Sequence, residues 1–198
     1  MRIQEINSEH ELELTISDRF IDYFTQRGYK MLGEGRDQLA FLTPRGTVLK
    51  IVGHGSPQRQ QMIEDYVEFF KRNHRNPYYP NIYNSQEFTH EGETYFIYET
   101  EFLKPVSSEG SIIEYIEDLM KSMHTAHPSA FRKNRPLPPG LSEEEVDGLV
   151  GATEDIVEHL IVPKGYDLNS LDLSNIENIR RRADGQLVIV DPIGDWGY

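Results

Sequence analysis

Apolar side chains recur at Leu14, Ile16, Phe20, Ile21, Tyr23 and Phe24, the spacing of one helix face, and predict a short amphipathic helix over 14–27. Ser17 or Asp18 serves as its N-cap and Gly28 as its end. From Tyr29 the period falls to two. Strands are predicted over 29–32, 39–43 and 47–52, and Pro44-Arg45-Gly46 folds the last two into a hairpin. A helix over 57–72 follows, its apolar side formed by Ile63, Tyr66, Val67 and Phe70, and Asn76-Pro77-Tyr78-Tyr79-Pro80 ends it. Strands over 81–88 and 95–102 flank the turn His90-Glu91-Gly92-Glu93.

Beyond Pro105 the helical period returns at 111–124 and 142–161, separated by a proline-rich connection over 128–140. A last hairpin pairs 178–182 with 186–190 across Ala183-Asp184-Gly185. These elements predict an α+β protein of 198 residues, with a strand-rich part over 1–103 and a helix-rich part over 104–198. No internal repeat or low-complexity tract interrupts it.

Composition narrows the chemistry. Without cysteine there is no disulfide, thiolate metal site or cysteine nucleophile. With 33 acidic against 20 basic residues the formal charge is −13, which disfavours nucleic acid and anionic lipid as partners. No apolar run approaches the roughly 20 residues of a membrane span. The start MRIQEINSEHELEL lacks the basic and apolar regions of a signal peptide, so a cytoplasmic location is expected.

Three features carry candidate chemistry. Gly33 and Gly35 stand between two predicted strands, where glycines let backbone N–H groups approach a phosphate; Gln38 occupies the place of a third glycine, and an ordinary hairpin turn is the alternative reading. Lys50 is the polar residue of the apolar strand Val48-Leu49-Lys50-Ile51. It either points to solvent or is aimed at phosphates, with Glu64 or Glu68 of the following helix as the carboxylate that holds it. Finally, Asp172, Asn178 and Asp191 lie in a loop and at the end of an aliphatic strand, an oxygen-donor set suited to Mg²⁺. In that set Asn178 and Asp191 hold metal and Asp172 accepts the proton of an attacking hydroxyl; the alternative is that these residues cap turns and end a strand.

The order of glycine loop, strand lysine, helix carboxylate, Asp/Asn loop and strand-end Asp resembles the protein-kinase-like fold over nearly the whole chain. That superfamily includes protein kinases, aminoglycoside phosphotransferases and small kinase-like proteins of bacteriophage genomes. The resemblance implies a bilobal architecture, with a five-stranded antiparallel N-lobe sheet plus one helix and a reduced helical C-lobe carrying a metal-binding hairpin. It makes Gly33 and Gly35 the glycine-rich loop, Lys50 the third-strand lysine and Glu64 its helix partner. It makes Thr100-Glu101-Phe102-Leu103 the hinge, with backbone groups of Glu101 and Leu103 meeting adenine. Asp172 and Asn178 become the catalytic-loop pair and Asp191 the metal aspartate, with ATP and Mg²⁺ as cofactors.

Two functions follow from the resemblance. One is a minimal ATP:Mg²⁺ phosphotransferase acting on a small molecule or a host component. The other is a pseudokinase-like module that docks a basic host protein through its acidic surface. The incomplete glycine motif, the five residues between Asp172 and Asn178 and the end seven residues after Asp191 lean toward the second, whereas the retained Lys50, Asp172, Asn178 and Asp191 lean toward the first.

The remaining features read as structural. His54, His74, His90, His124, His127 and His159 are scattered without metal-ligand spacing. Arg180-Arg181-Arg182 reads as a solvated hairpin edge, and Glu143-Glu144-Glu145 after Ser142 as the acidic first turn of a helix. Trp196 and Tyr198 are expected to pack onto the helical half.

Overall fold

A computed structural model of the chain describes residues 20–34, 38–53, 57–106, 110–125, 135–167 and 176–191. It is an α+β protein with a five-stranded antiparallel sheet, and it divides into two compact units. The first comprises the described residues through Gln60 together with Tyr83–Phe102; the second comprises Gln61–Ile82 and the described residues from Leu103 onward. Most of the helix over 57–72 thus belongs with the second unit, although in sequence it lies within the strand-rich half.

In the first unit a short helix α1 over 20–25 precedes the sheet strands β1 (Lys30–Glu34), β2 (Gln38–Leu42), β3 (Val48–Val52), β4 (Ile82–His90) and β5 (Glu93–Thr100). Their spatial order is β1-β2-β3-β5-β4. The β4–β5 turn uses only Glu91 and Gly92, both left-handed at φ 51° and 87°, which is the backbone sign a two-residue hairpin needs to match strand twist. Strand alternation sorts the sheet into two faces. One face gathers Leu39, Phe41, Leu49, Ile51, Tyr95 and Ile97 with Phe20 and Phe24 of α1 into a buried cluster. Edge-to-face packing of Phe20 on Tyr95, with ring centroids 4.6 Å apart, joins the helix to it. His90 lies in that aromatic cluster, its ring 4.7 Å from Tyr23 and 5.1 Å from Phe20.

Helix α2 (Pro57–Arg72) buries the predicted Ile63, Tyr66, Val67 and Phe70, and also Met62 and Phe69. Within the second unit, β6 (Lys104–Pro105), β7 (Ile179–Arg181) and β8 (Leu187–Ile189) form a three-stranded sheet, where the sequence predicts only the β7–β8 hairpin. Two residues carry too little pattern to declare β6 a strand. The outer edge of β8 is closed by the N–H of Ile189, which donates to the Tyr78 carbonyl at 2.9 Å.

The arginine run is a correction to the sequence reading. Arg181 donates to the Gly185 carbonyl at 2.7 Å and lies 3.4 Å from the Glu145 carboxylate, while Arg182 reaches the carbonyls of Pro77 at 2.5 Å and Tyr79 at 2.7 Å. These guanidiniums tie the hairpin to neighbouring chain because each offers several donors in a fixed fork.

Helix α3 (Gly110–Thr125) buries Ile112, Tyr115, Ile116 and Leu119. Helix α4 (Glu143–Ile156) opens with a capping box: the Ser142 hydroxyl accepts from the Glu145 N–H at 3.2 Å and the Glu145 carboxylate accepts from the Ser142 N–H at 3.0 Å. The predicted single helix over 142–161 instead widens into a π segment at Val157–Ile161 and ends in one turn at Val162–Lys164. Pro163 explains the change, since it cannot donate one turn back and its ring crowds the His159 carbonyl. Gly165, left-handed at φ 69°, then closes the helix, and the Tyr166 N–H donates to Ile161 at 3.0 Å.

Candidate functional site

Register places the predicted lysine. Lys50 pairs with Ala40 on one side and Tyr98 on the other, and Gly33 pairs with Ala40, so Gly33, Ala40, Lys50 and Tyr98 form one row across the sheet. This row lies on the face opposite the α1 cluster, because Leu49 and Ile51, the neighbours of Lys50, both point into that cluster. Lys50 is half-buried rather than solvated, and its ammonium lies 5.7 Å from the centre of the Tyr98 ring. The Tyr98 hydroxyl donates to the Gln38 side-chain carbonyl at 3.3 Å, which fixes the ring.

The next row on the same face, about 7 Å along the strands, is Leu42, Val48 and Thr100. Val48 and Thr100 are buried. Thr100 ends β5, and residues 101–103 that follow have no regular structure, with Glu101 half-buried and Phe102 exposed. One face of the sheet therefore carries the row Leu42, Val48 and Thr100 next to the row of Lys50, with Glu101 directly after Thr100. Tyr98 was not singled out by sequence, and Gln38, Val48 and Thr100 were named there only beside other candidates; counting in twos from Lys50 reaches Val48, but only strand pairing brings Tyr98 and Thr100 alongside.

Gly33 follows an irregularity in β1, where Met31 pairs with Phe41 but Gly33 already pairs with Ala40, leaving Leu32 extra and exposed. A Cβ added at Gly33 would meet nothing within 4 Å, so packing does not require glycine there. Gly35 lies outside the described residues, as does Asp172.

In the second unit, the Val190 N–H donates to the Asn178 carbonyl at 2.8 Å, extending the β7–β8 ladder by one step. That bond brings Asn178 and Asp191 to the same end of the hairpin, an amide oxygen and a carboxylate in adjacent register positions. Leu103, half-buried, directly precedes β6, whose Pro105 pairs with Arg180 of β7. Among the described residues no group of three or more His, Asp or Glu side chains is arranged to hold a metal ion.

On α2 the two alternatives for the lysine's partner differ. Glu68 is engaged on its own helix by Lys71 at 2.7 Å, and Glu64 is half-buried. Asp65, between them in sequence, anchors the helix. It accepts from the Tyr166 hydroxyl at 2.6 Å and from Lys164 at 3.0 Å. Burial pushes the Asp65 carboxyl up, but the bonds from Tyr166, Lys164 and Gln61 outweigh it and hold the group below its ordinary value. Burial and the same carboxylate push the Tyr166 phenol well above the ordinary tyrosine range.

Compared with known proteins, the chain matches no protein-family model and no curated protein sequence. Among the described residues no helix is long and apolar enough to cross a membrane.

Proposed function

We propose that this chain is a kinase-like ATP-binding protein of the cytoplasm that transfers a γ-phosphoryl group with the help of Mg²⁺. The observation that carries the reading is the row Gly33-Ala40-Lys50-Tyr98 in a sheet ordered β1-β2-β3-β5-β4, one step from the small apolar row that leads to Glu101. In this reading Leu42, Val48 and Thr100 are the shelf beneath adenine, and the backbone of Glu101 and Leu103 meets the base edge. Lys50 neutralises phosphate charge, and the open space at Gly33 admits phosphates to the backbone.

Glu64 is the carboxylate that the kinase-like reading gives to Lys50. In this reading Asn178 and Asp191 would hold Mg²⁺, which takes one or two carboxylates and completes its shell with phosphate oxygens and water. Bound there, Mg²⁺ supplies charge neutralisation of the phosphates. Asp172 accepts the proton of the attacking hydroxyl as the acceptor oxygen bonds to phosphorus and the bond to the β-phosphate oxygen breaks.

The test is a thermal-shift titration with ATP, with and without Mg²⁺, on the wild type and on Asp191→Ala. At 100 times Kd a ligand stabilises the fold by about 2.7 kcal/mol. A Mg²⁺-dependent shift that Asp191→Ala abolishes is the expected result. No shift at millimolar ATP overturns the reading and leaves the acidic docking module, with a basic host protein as its partner.

A further inference from the structure

Gln38 opens β2 and stands where the glycine pattern lacks its third glycine. Counting in twos along β2 puts it on the face of Ala40, the residue opposite Lys50, so Gln38 shares the lysine's face one row farther from Glu101. Its own row is otherwise apolar: Gln38 pairs with Val52 and Val52 with Phe96, both buried. We propose that the Gln38 side-chain amide donates to a phosphate oxygen of the nucleotide beside Lys50, an assignment that rests on the ATP-binding reading above.

An amide in that row has two ends to satisfy. Its oxygen accepts from the Tyr98 hydroxyl at 3.3 Å, a bond that crosses β3, since Tyr98 stands on β5 and Gln38 on β2. With the oxygen engaged, the amide offers its nitrogen, which carries two hydrogens and accepts nothing. Among the described residues no group accepts from that nitrogen. Gln38 is half-buried rather than enclosed, so a ligand can reach it. The hydroxyl orients the amide but is not the ligand contact; an amide released from it keeps its nitrogen.

Charge selects the acceptor. Lys50 is diagonal to Gln38 across the β2–β3 pair, with side-chain roots about 7–8 Å apart, a gap that two long side chains close around one ligand. A neutral carbonyl would gain a single hydrogen bond there, whereas a phosphate oxygen gains a charge-assisted bond from the amide and the attraction of the ammonium. Direction agrees with this. The row Leu42, Val48 and Thr100 lies on one side of Lys50 and Gln38 on the other, so a nucleotide with its base over the first row extends its phosphates past Lys50 toward Gln38.

The experiment is calorimetric titration of the intact chain with ATP and with adenosine. Gln38→Met removes the donor without adding charge and is expected to weaken ATP at least about tenfold, as loss of a hydrogen bond to a charged group does, with adenosine unchanged. Gln38→Glu keeps an acceptor for the Tyr98 hydroxyl but no donor, and is expected to weaken ATP at least as much. Gln86→Met, the same change at an exposed position of β4, is expected to leave both ligands at wild-type affinity. In isotope-labelled protein the side-chain amide signals of Gln38, identified by their loss in Gln38→Met, are expected to shift on ATP and not on adenosine. Equal weakening of both ligands by Gln38→Met, or amide signals that bound ATP leaves in place, overturns the assignment. If ATP binding depends on Lys50 but not on Gln38, the nucleotide reading stands and this assignment alone falls; if the wild type binds no ATP, the nucleotide reading falls and takes the assignment with it.

Discussion

The Tyr78 ring lies against the backbone of α4 at Gly148: a Cβ placed there would come within 1.9 Å, 2.0 Å and 2.1 Å of three of its atoms. One turn earlier on the helix the Glu144 carbonyl accepts the Tyr78 hydroxyl at 3.0 Å. A helix that admits a ring so closely must carry glycine at the crossing, against the ordinary preference of helix interiors.

Gly148→Ala is therefore expected to destabilise the protein, although alanine favours a helix over glycine by about 1 kcal/mol. Overpacking against a ring held by a hydrogen bond costs about 1–3 kcal/mol, which exceeds that gain. Urea denaturation measures it. Pairing Gly148→Ala with Tyr78→Leu should recover part of the loss, since contacting positions are not additive; a Gly148→Ala variant more stable than wild type would refute the packing.

Acid stability should depend on Asp65. Its folded-state pKa lies below the ordinary 3.8, so the stabilisation is present above that value and is lost as pH falls through the folded one. Asp65→Asn should lower stability at neutral pH and make the melting temperature less sensitive to pH below about 4. Tyr166→Phe, which removes the shortest of the bonds to Asp65, should reproduce part of both effects.

On the alkaline side two phenols act together. Burial and the neighbouring Asp155 raise Tyr79, and burial with Asp65 raises Tyr166, both far above the ordinary 10.0. The folded state retains protons that the unfolded chain releases, so stability is full below pH 10 and declines as pH rises beyond it. Tyr79→Phe removes the phenol that donates to the Ala152 carbonyl at 2.9 Å. It should cost about 1 kcal/mol at neutral pH while flattening the alkaline decline seen by thermal melting.

Lys50→Met should separate the parts of the nucleotide. If the ammonium meets phosphate, the variant weakens ATP binding about tenfold or more, as loss of a charge-assisted contact does, and leaves adenosine binding unchanged. Equal weakening of both ligands would show that the change acts through the sheet instead. Tyr98→Phe keeps the ring beside Lys50 and should leave the ATP-to-adenosine ratio near wild type.

Much of the element plan was legible because its signals are local. Helix α2 falls at 57–72 as its periodicity predicts, and the capping box at Ser142 and Glu145 is readable from the letters. The hairpin at Glu91-Gly92 follows from a turn that needs left-handed residues. Of the candidate site, sequence supplied Lys50, Asn178 and Asp191 and left Glu64 and Glu68 as alternatives; the structure adds that Glu68 is paired with Lys71. The two-residue β6 and the π turn before Pro163 escaped, one because pairing with β7 creates it and the other because it is a helix adjusting to a single ring.

By itself the sequence determined where the backbone alternates and where it coils, since period, caps and turn glycines act over a few residues. It also determined the excess of negative charge and the absence of thiol chemistry. Only the tertiary structure decided which partner each polar group takes: Arg182 on the Pro77 and Tyr79 carbonyls, Asp65 on Tyr166, Lys50 beside Tyr98, and the Tyr78 ring on Gly148. Those partners are distant along the chain or lie on neighbouring strands, and what joins them is burial. A donor or charge removed from water must find its match wherever the packed elements bring one, and no local pattern records that position.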